Sequence, residues 1–197
     1  MAVACAVVPE DSDAVLAAAL ARDLDRSFEL LVIAYRVRIV TFVARMLRDD
    51  ARAEDVAQDV FVRAYRALQA YPSERRAALR LRSWLYTIAR NLTRNAFRDA
   101  PPASESLDYD DGNPRSALLD PDPSPENVVL REETWNSVGA AVDRLSPALR
   151  DAFVLRYFDE LSYDEIAESL DQPVGTVKAS AHRGLMAVRA HLEKNDE

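Results

Sequence analysis

SYDEIAESLDQPVGTVKASAHRGL, residues 162 to 185, is the stretch from which the fold of this chain is read. Ser162 and Glu165 stand in the S-x-x-E order of a capping box, where each side chain satisfies the other residue's unpaired backbone N–H. Leu161 and Ile166 fill the staple positions on either side. A helix therefore starts here for purely local reasons. Asp171, Gln172 and Pro173 break it, and Pro173 stands where a missing N–H costs little, at the start of a second helix. Val177, Ala181, Leu185, Val188 and Leu192 follow helical spacing and mark the buried face of that second helix. At about 100° per residue, Thr176, Lys178, Ala179, His182, Arg183 and Met186 then point mostly outward. The spacing predicts a helix-turn-helix, a shape that enters the DNA major groove, although a helical hairpin packing only on protein has the same spacing. Charge favours DNA: residues 174 to 192 contain no carboxylate, in an otherwise acidic part of the chain, as an approach to phosphate requires.

The rest of the chain agrees with an all-helical reading. Its 197 residues include ten prolines and only four glycines, helix formers are abundant elsewhere, and no run alternates in the manner of a strand. The single cysteine, Cys5, excludes an internal disulfide framework and a thiol cluster for zinc, which fits a reducing, cytoplasmic setting. The apolar opening AVACAVV lacks a basic leader and soon meets Glu10, Asp11 and Asp13, so neither a targeting signal nor membrane insertion is expected.

A formal charge of -8 argues at first against a nucleic-acid partner, but the charge is segregated. Residues 28 to 98 carry 14 basic and 7 acidic groups, whereas 99 to 134 carry 2 and 10. Residues 71 to 98 hold seven arginines against the single Glu74, a local excess suited to phosphate.

Asp11, Ser12 and Asp13 are placed to cap a first helix running to about Arg22. Phe28, Leu31, Tyr35, Ile39, Phe42 and Met46 predict a longer helix with one buried stripe. Val56, Val60, Phe61, Ala64 and Leu68 mark another, and Trp84, Leu85, Ile88 and Leu92 one more. Between these two lies YPSERRAALRLR, a loop or short helix rich in arginine. From Asp99 to about Pro125 the pattern gives way to PPASES, DYDDGNP and DPDPSP, the composition of a flexible, self-repelling linker. A second helical unit follows, with a helix from Val128 to Leu145 and another that Ser146 and Pro147 open in the favoured cap-then-proline order and that runs to about Phe158.

Arg90, Arg94 and Arg98 recur every fourth residue, with Asn91 and Asn95 beside them and no acidic partner one turn away. Asparagine hydrogen-bonds base edges, and arginine bonds phosphate or stacks on a base. Tyr71 is a candidate stacking platform, while Trp84 shares a face with Ile88 and is expected in the core. Glu54, Asp55, Gln58 and Asp59 form an acidic face suited to a partner carrying arginines, although acids in a first turn also simply favour the helix dipole. Catalytic constellations are missing: no nucleophile, base or metal set converges, no glycine loop cradles phosphate, and the two histidines, His182 and His191, suggest no metal site. Neither an enzyme nor a cofactor is expected.

The order AEDVAQDVFVRAYRAL, RSWLYTIARNLTRNAFRD, DPDPSPE and LSPALRDAFVLRYFDELSYDEIAESLDQPVGTVKASAHRGL resembles an extracytoplasmic-function (ECF) sigma factor of the bacterial sigma-70 family, across about residues 11 to 192. The resemblance implies two small helical domains joined by a flexible acidic linker: a region 2-like bundle over 1–98, the linker over 99–127, and a region 4-like helix-turn-helix domain over 128–197. It implies that Glu54, Asp55, Gln58 and Asp59 dock on core RNA polymerase. Tyr71, Arg75, Arg76, Arg90, Asn91, Arg94, Asn95 and Arg98 would bind the −10 element of promoter DNA as its strands separate. Thr176, Lys178, Ala179, Ser180, His182 and Arg183 would read the −35 element, and an anti-sigma factor would control the protein. Two departures stand out: the family often has Arg near Ser180 and a bulkier apolar residue near Ala181, and the loop from Tyr71 to Leu81 is longer than usual. A self-sufficient operator-binding dimer and a protein-only adaptor are the competing readings.

Overall fold

The computed structural model describes residues 10–47, 49–98 and 137–195, and all regular structure among them is helical. They fall into two compact units, one holding the described residues up to 98 together with 168–171 and the other holding 137–167 and 172–195. The segment expected to be a linker, 99–127, lies outside the described residues, as does the first half of the helix expected from Val128 to Leu145.

The first unit is assembled around α2 (Leu24–Leu47), whose buried side includes Leu31, Tyr35, Ile39, Phe42 and Met46, the expected stripe. The helix begins four residues before Phe28 because Asp23 caps it, its carboxylate accepting the Arg26 N–H at 3.1 Å. α1 (Glu10–Arg22) buries Ala17 and Leu20 completely, packing on α2 and on the short α4 (Ser73–Ala77). α3 (Asp50–Ala70) is capped by Asp49, which accepts the Arg52 N–H at 3.0 Å. Its inner face is Ala53, Ala57, Val60, Phe61, Ala64 and Leu68, with Val56 only half-buried. Three alanines on that line leave room for a close crossing with α2, a use of small residues that apolar periodicity underweights.

α5 (Leu81–Arg98) turns a different side inward from the one expected. Leu81, Leu85, Tyr86, Ala89 and Leu92 are buried, and the ring of Tyr86 meets Phe42 edge-on at 5.2 Å. Trp84 and Ile88 are only half-buried. The buried line steps by about three and four residues from Leu81, which puts Trp84 at the margin of the core.

In the second unit, α6 (137–143) leads to α7 (Pro147–Tyr157), α8 (Tyr163–Leu170) and α9 (Val174–Asn195). Pro147 opens α7 as expected, but the Ser146 side chain makes no cap hydrogen bond. Arg150 organises this corner: its guanidinium donates to the carbonyls of Val142, Asp143 and Leu145, at and just beyond the end of α6, where carbonyls lack the regular helical partner. The capping box of α8 is formed, with the Ser162 N–H donating to Glu165 Oε2 at 2.7 Å and the Glu165 N–H to Ser162 Oγ at 3.2 Å. Leu161 and Ile166 are completely buried beside it.

α8 ends on Asp171, which takes φ 51°. The Gln172 N–H returns to the Ala167 carbonyl at 3.0 Å and the Asp171 N–H to that of Glu168 at 3.3 Å, the paired bonds of a Schellman ending. Glycine usually takes this left-handed position, and Asp is among the few other residues that tolerate it. The turn between the two helices is thus closed by backbone bonds at its first end and by Pro173 at its second, where the Pro173 carbonyl accepts the N–H of Thr176 and of Val177.

Candidate nucleic-acid interface

The geometry of α9 begins with how near it lies to α7. A Cβ on Gly184 would sit 3.1 Å from Phe153 Cβ and 3.2 Å from the Leu149 carbonyl oxygen, so the crossing is set by a residue without a side chain. Val177, Ala181, Gly184 and Val188 form the buried line. Leu185, expected on that line, is 38% exposed, because Gly184 takes its place against Phe153.

Thr176, Lys178, Ala179, His182 and Arg183 are exposed on the other side, and Met186 joins them. Ser180 departs from the expected set. It is 5% exposed, since it stands one turn after Val177 and one turn before Gly184 on the inward side. A buried hydroxyl there serves packing rather than base contact. The outward face is therefore built from one threonine, one alanine, one histidine, one methionine and two cations, with the Arg183 Nε donating to the Ala179 carbonyl at 3.3 Å.

Lys178 has a neighbour that spacing did not reveal. Its Nζ lies 5.6 Å from the centre of the Tyr163 ring, and the Arg156 guanidinium lies 4.7 Å from the same ring. Arg156 is itself anchored by donating to the Leu161 carbonyl at 2.8 Å. Two cations gathered on one aromatic ring, each worth about 0.5–1 kcal/mol at an exposed site, restrict where Lys178 points.

In the first unit, the arginine-rich segment is pinned at its start. The Tyr71 N–H donates to the carbonyls of Ala67 and Leu68, ending α3. Arg75, projecting from α4, places its guanidinium carbon 3.8 Å from the centre of the Tyr71 ring. Trp84 lies on the same tyrosine at 6.3 Å, tilted by 55°. Tyr71, Arg75 and Trp84 thus form one exposed or half-exposed cluster of flat groups, of the kind on which an unstacked base can lie. Spacing from Ile88 predicts Trp84 in the core, and only the fold brings it to Tyr71. Arg76 is half-buried.

Along α5, Asn91, Arg94, Asn95 and Arg98 are exposed, but Arg90 is buried, at 9% exposure. Positions four apart on a helix differ by about 40°. The line Tyr86, Arg90, Arg94, Arg98 therefore rotates gradually out of the core, and Arg90 is still on its inner side. The basic stripe has two outward members rather than three.

On α3, Asp55, Gln58 and Asp59 are exposed. Glu54 is engaged at home, accepting from Arg36 of α2 at 3.2 and 3.3 Å. The pair is largely exposed on both sides, so it contributes little stability, but it turns Glu54 toward α2. Among the described residues no group of three or more His, Cys, Asp or Glu could hold a metal ion, and no helix is long and apolar enough to cross a membrane.

Comparison with known proteins matches both units. Residues 31–101 fit the model of Sigma-70 region 2, and residues 135–188 fit that of Sigma-70, region 4. The RNA polymerase sigma-H factor of Pseudomonas aeruginosa is 34% identical over 194 residues, covering 95% of this chain and 97% of that protein. The ECF RNA polymerase sigma factor SigW of Bacillus subtilis is 35% identical over 170 residues, 84% of this chain and 89% of its own length. The solved structure of the sigma factor RpoE in complex with the anti-sigma factor NepR from Bartonella quintana shares the fold, with a TM-score of 0.64 at 19% identity over 85% of this chain and 98% of that one.

Proposed function

The chain belongs to the sigma-70 family as an extracytoplasmic-function RNA polymerase sigma factor, and from that premise we propose which of its surfaces carry each step of promoter recognition. It is an initiation factor and not an enzyme. Residues 1–98 bind core polymerase and the −10 element, 99–127 link, and 128–197 bind the −35 element. The observation that supports this most is the outward face of α9 over residues 174 to 192, cationic and free of carboxylates in a protein of net charge -8.

On this reading Lys178 and Arg183 meet phosphate or base edges, Thr176 and His182 add polar contacts, and Ala179 near the centre of the face lets the backbone approach a thymine methyl. Ser180 is removed from the contact set by its burial. At the −10 element Tyr71, Arg75 and Trp84 receive a base as the strands separate. Arg76, Asn91, Arg94, Asn95 and Arg98 hold the backbone and neighbouring bases, and Arg90 supports them from within. Asp55, Gln58 and Asp59 dock on polymerase, with Glu54 secondary because Arg36 already occupies it.

Neither DNA face has to bind tightly alone. Held together on polymerase, two weak sites act at high effective concentration, and each cation that neutralises a phosphate releases counterions. By likeness to RpoE, which was solved with its anti-sigma factor, a protein inhibitor covers the polymerase-binding face until a signal arrives, and the protein acts in the bacterial cytoplasm. The test is direct: the purified chain, added to bacterial core polymerase, gives selective transcripts from genomic promoter fragments. Absence of core binding or of promoter selectivity overturns the proposal.

A further inference from the structure

α5, the helix that carries Asn91, Arg94, Asn95 and Arg98, is held at both ends by side chains from other helices. Its first turn contains no acidic residue. Instead Asp13, from the first turn of α1, accepts the Arg82 N–H at 3.3 Å, one of the first-turn donors without an intrahelical acceptor. The other oxygen of the same carboxylate accepts the hydroxyl of Tyr35, a completely buried residue of α2, so α1, α2 and α5 meet at one side chain. At the far end Arg52, from the first turn of α3, donates through Nη2 to the Ala96 carbonyl at 2.9 Å. That carbonyl is among the last four of α5, again unpaired within the helix.

The signs are those that the helix dipole favours, an anion at the start and a cation at the end. Neither contact is local, since Asp13 is 69 residues from Arg82 and Arg52 is 44 from Ala96. A helix capped by its own flanking residues keeps its ends wherever it lies. A helix capped from neighbouring helices keeps them only in one placement, so these two contacts select the rotation and axial position of α5. They also explain what α1 contributes: it is a strut for the helix that faces promoter DNA. Arg52 comes from the turn that precedes Asp55, which ties that end of α5 to the surface proposed for polymerase.

We propose that Asp13 and Arg52 are positioning residues for −10 recognition, holding α5 by its two ends so that Asn91, Arg94 and Asn95 are presented in register. The inference rests on the assignment of α5 to the −10 element. The test uses holoenzyme assembled from the full-length chain and core polymerase on a promoter that the wild-type chain selects, with single substitutions introduced into the −10 or the −35 element. Strand opening is read by permanganate reactivity. A ratio between matched and substituted promoters does not change when part of the protein is merely inactive, so it separates positioning from loss of fold.

Arg52→Met is expected to lower the −10 preference by about fivefold, the scale of one lost helix-end contact. The −35 preference and the affinity for core stay unchanged, and Arg52→Lys restores the −10 ratio. Asp13→Asn acts in the same direction from the other end. An unchanged −10 ratio in both variants, or an equal fall in the −10 and −35 ratios, overturns the inference while leaving the function standing. A wild-type chain without promoter preference overturns both.

Discussion

Replacing Gly184 with alanine tests the helix crossing on which the second unit depends. The new Cβ would stand 3.1 Å from Phe153 Cβ and 3.2 Å from the Leu149 carbonyl oxygen, whereas carbon contacts are comfortable at about 3.5–4.0 Å. Neither neighbour can rotate away, because one is backbone and the other is one bond from it. α7 is also held by Arg150 at its start and by the buried run Ala152 to Leu155, so the whole helix must shift by about half an ångström. Overpacking of this kind costs about 1–3 kcal/mol. Against it stands the gain of about 1 kcal/mol from replacing glycine by alanine inside a helix. The net expectation is destabilisation of about 1 kcal/mol. Hydrogen exchange of the full-length chain reads this locally: amides of α7 and α9 that exchange through opening of the unit should do so about fivefold faster, while those of α2 and α3 keep their rates. Gly175→Ala is the control, since a Cβ there meets nothing within 4 Å, and it should leave exchange unchanged or slow it. Slower exchange in Gly184→Ala, or the same response in both variants, would refute the claim that close approach fixes the crossing.

On the −35 face, Lys178→Ala and Arg183→Ala should each weaken −35-dependent initiation by about tenfold with core affinity intact in a binding titration. Tyr163→Leu should reproduce the Lys178→Ala loss, and combining the two should add little more, as expected if the ring acts by aiming the lysine. Burial, reinforced by the bond to Asp13, pushes the Tyr35 hydroxyl well above the ordinary tyrosine range. Above about pH 10 the unfolded tyrosine releases its proton while the folded one keeps it, so stability present below that pH is lost as pH rises. Urea midpoints measured from neutral pH upward should therefore fall more steeply in the wild type than in Tyr35→Phe. At the capping box, Ser162→Ala should cost about 1 kcal/mol. Glu165→Ala should cost more, because the 2.7 Å charged bond to the Ser162 N–H is lost from a residue only 8% exposed. Equal unfolding midpoints for the two variants would contradict that ordering.

Much of the molecule is legible along the chain because it is made of local interactions. Helix periodicity named the inner face of α2, Ser162 and Glu165 announced the start of α8, and Pro173 marked the entry to α9. Each signal involves residues within about four positions of one another, where backbone geometry alone decides which groups meet. The outward face of α9 was readable on the same grounds, and so was the absence of carboxylates over residues 174 to 192 that suits it to the DNA contact proposed for it. Composition separated the charge blocks. Residue order alone carried the resemblance to ECF sigma factors.

What sequence could not decide was every property that depends on a through-space neighbour. Arg90 belongs to a basic stripe by spacing, yet the core of the first unit reaches around α5 far enough to bury it. Ser180 and Leu185 exchange their expected exposures because Gly184 lets α7 approach on one particular line. Trp84 leaves the core for Tyr71 and Arg75, and Tyr163 gathers two cations from different helices. Asp13, which reads as a cap for its own helix, instead caps another 69 residues away. Hydrogen-bonding groups at helix ends must be satisfied by something, and periodicity identifies the groups but not their partners. Those partners come from the packing of α1, α3 and α5, and so only tertiary structure determines where α5, the helix proposed to face promoter DNA, stands.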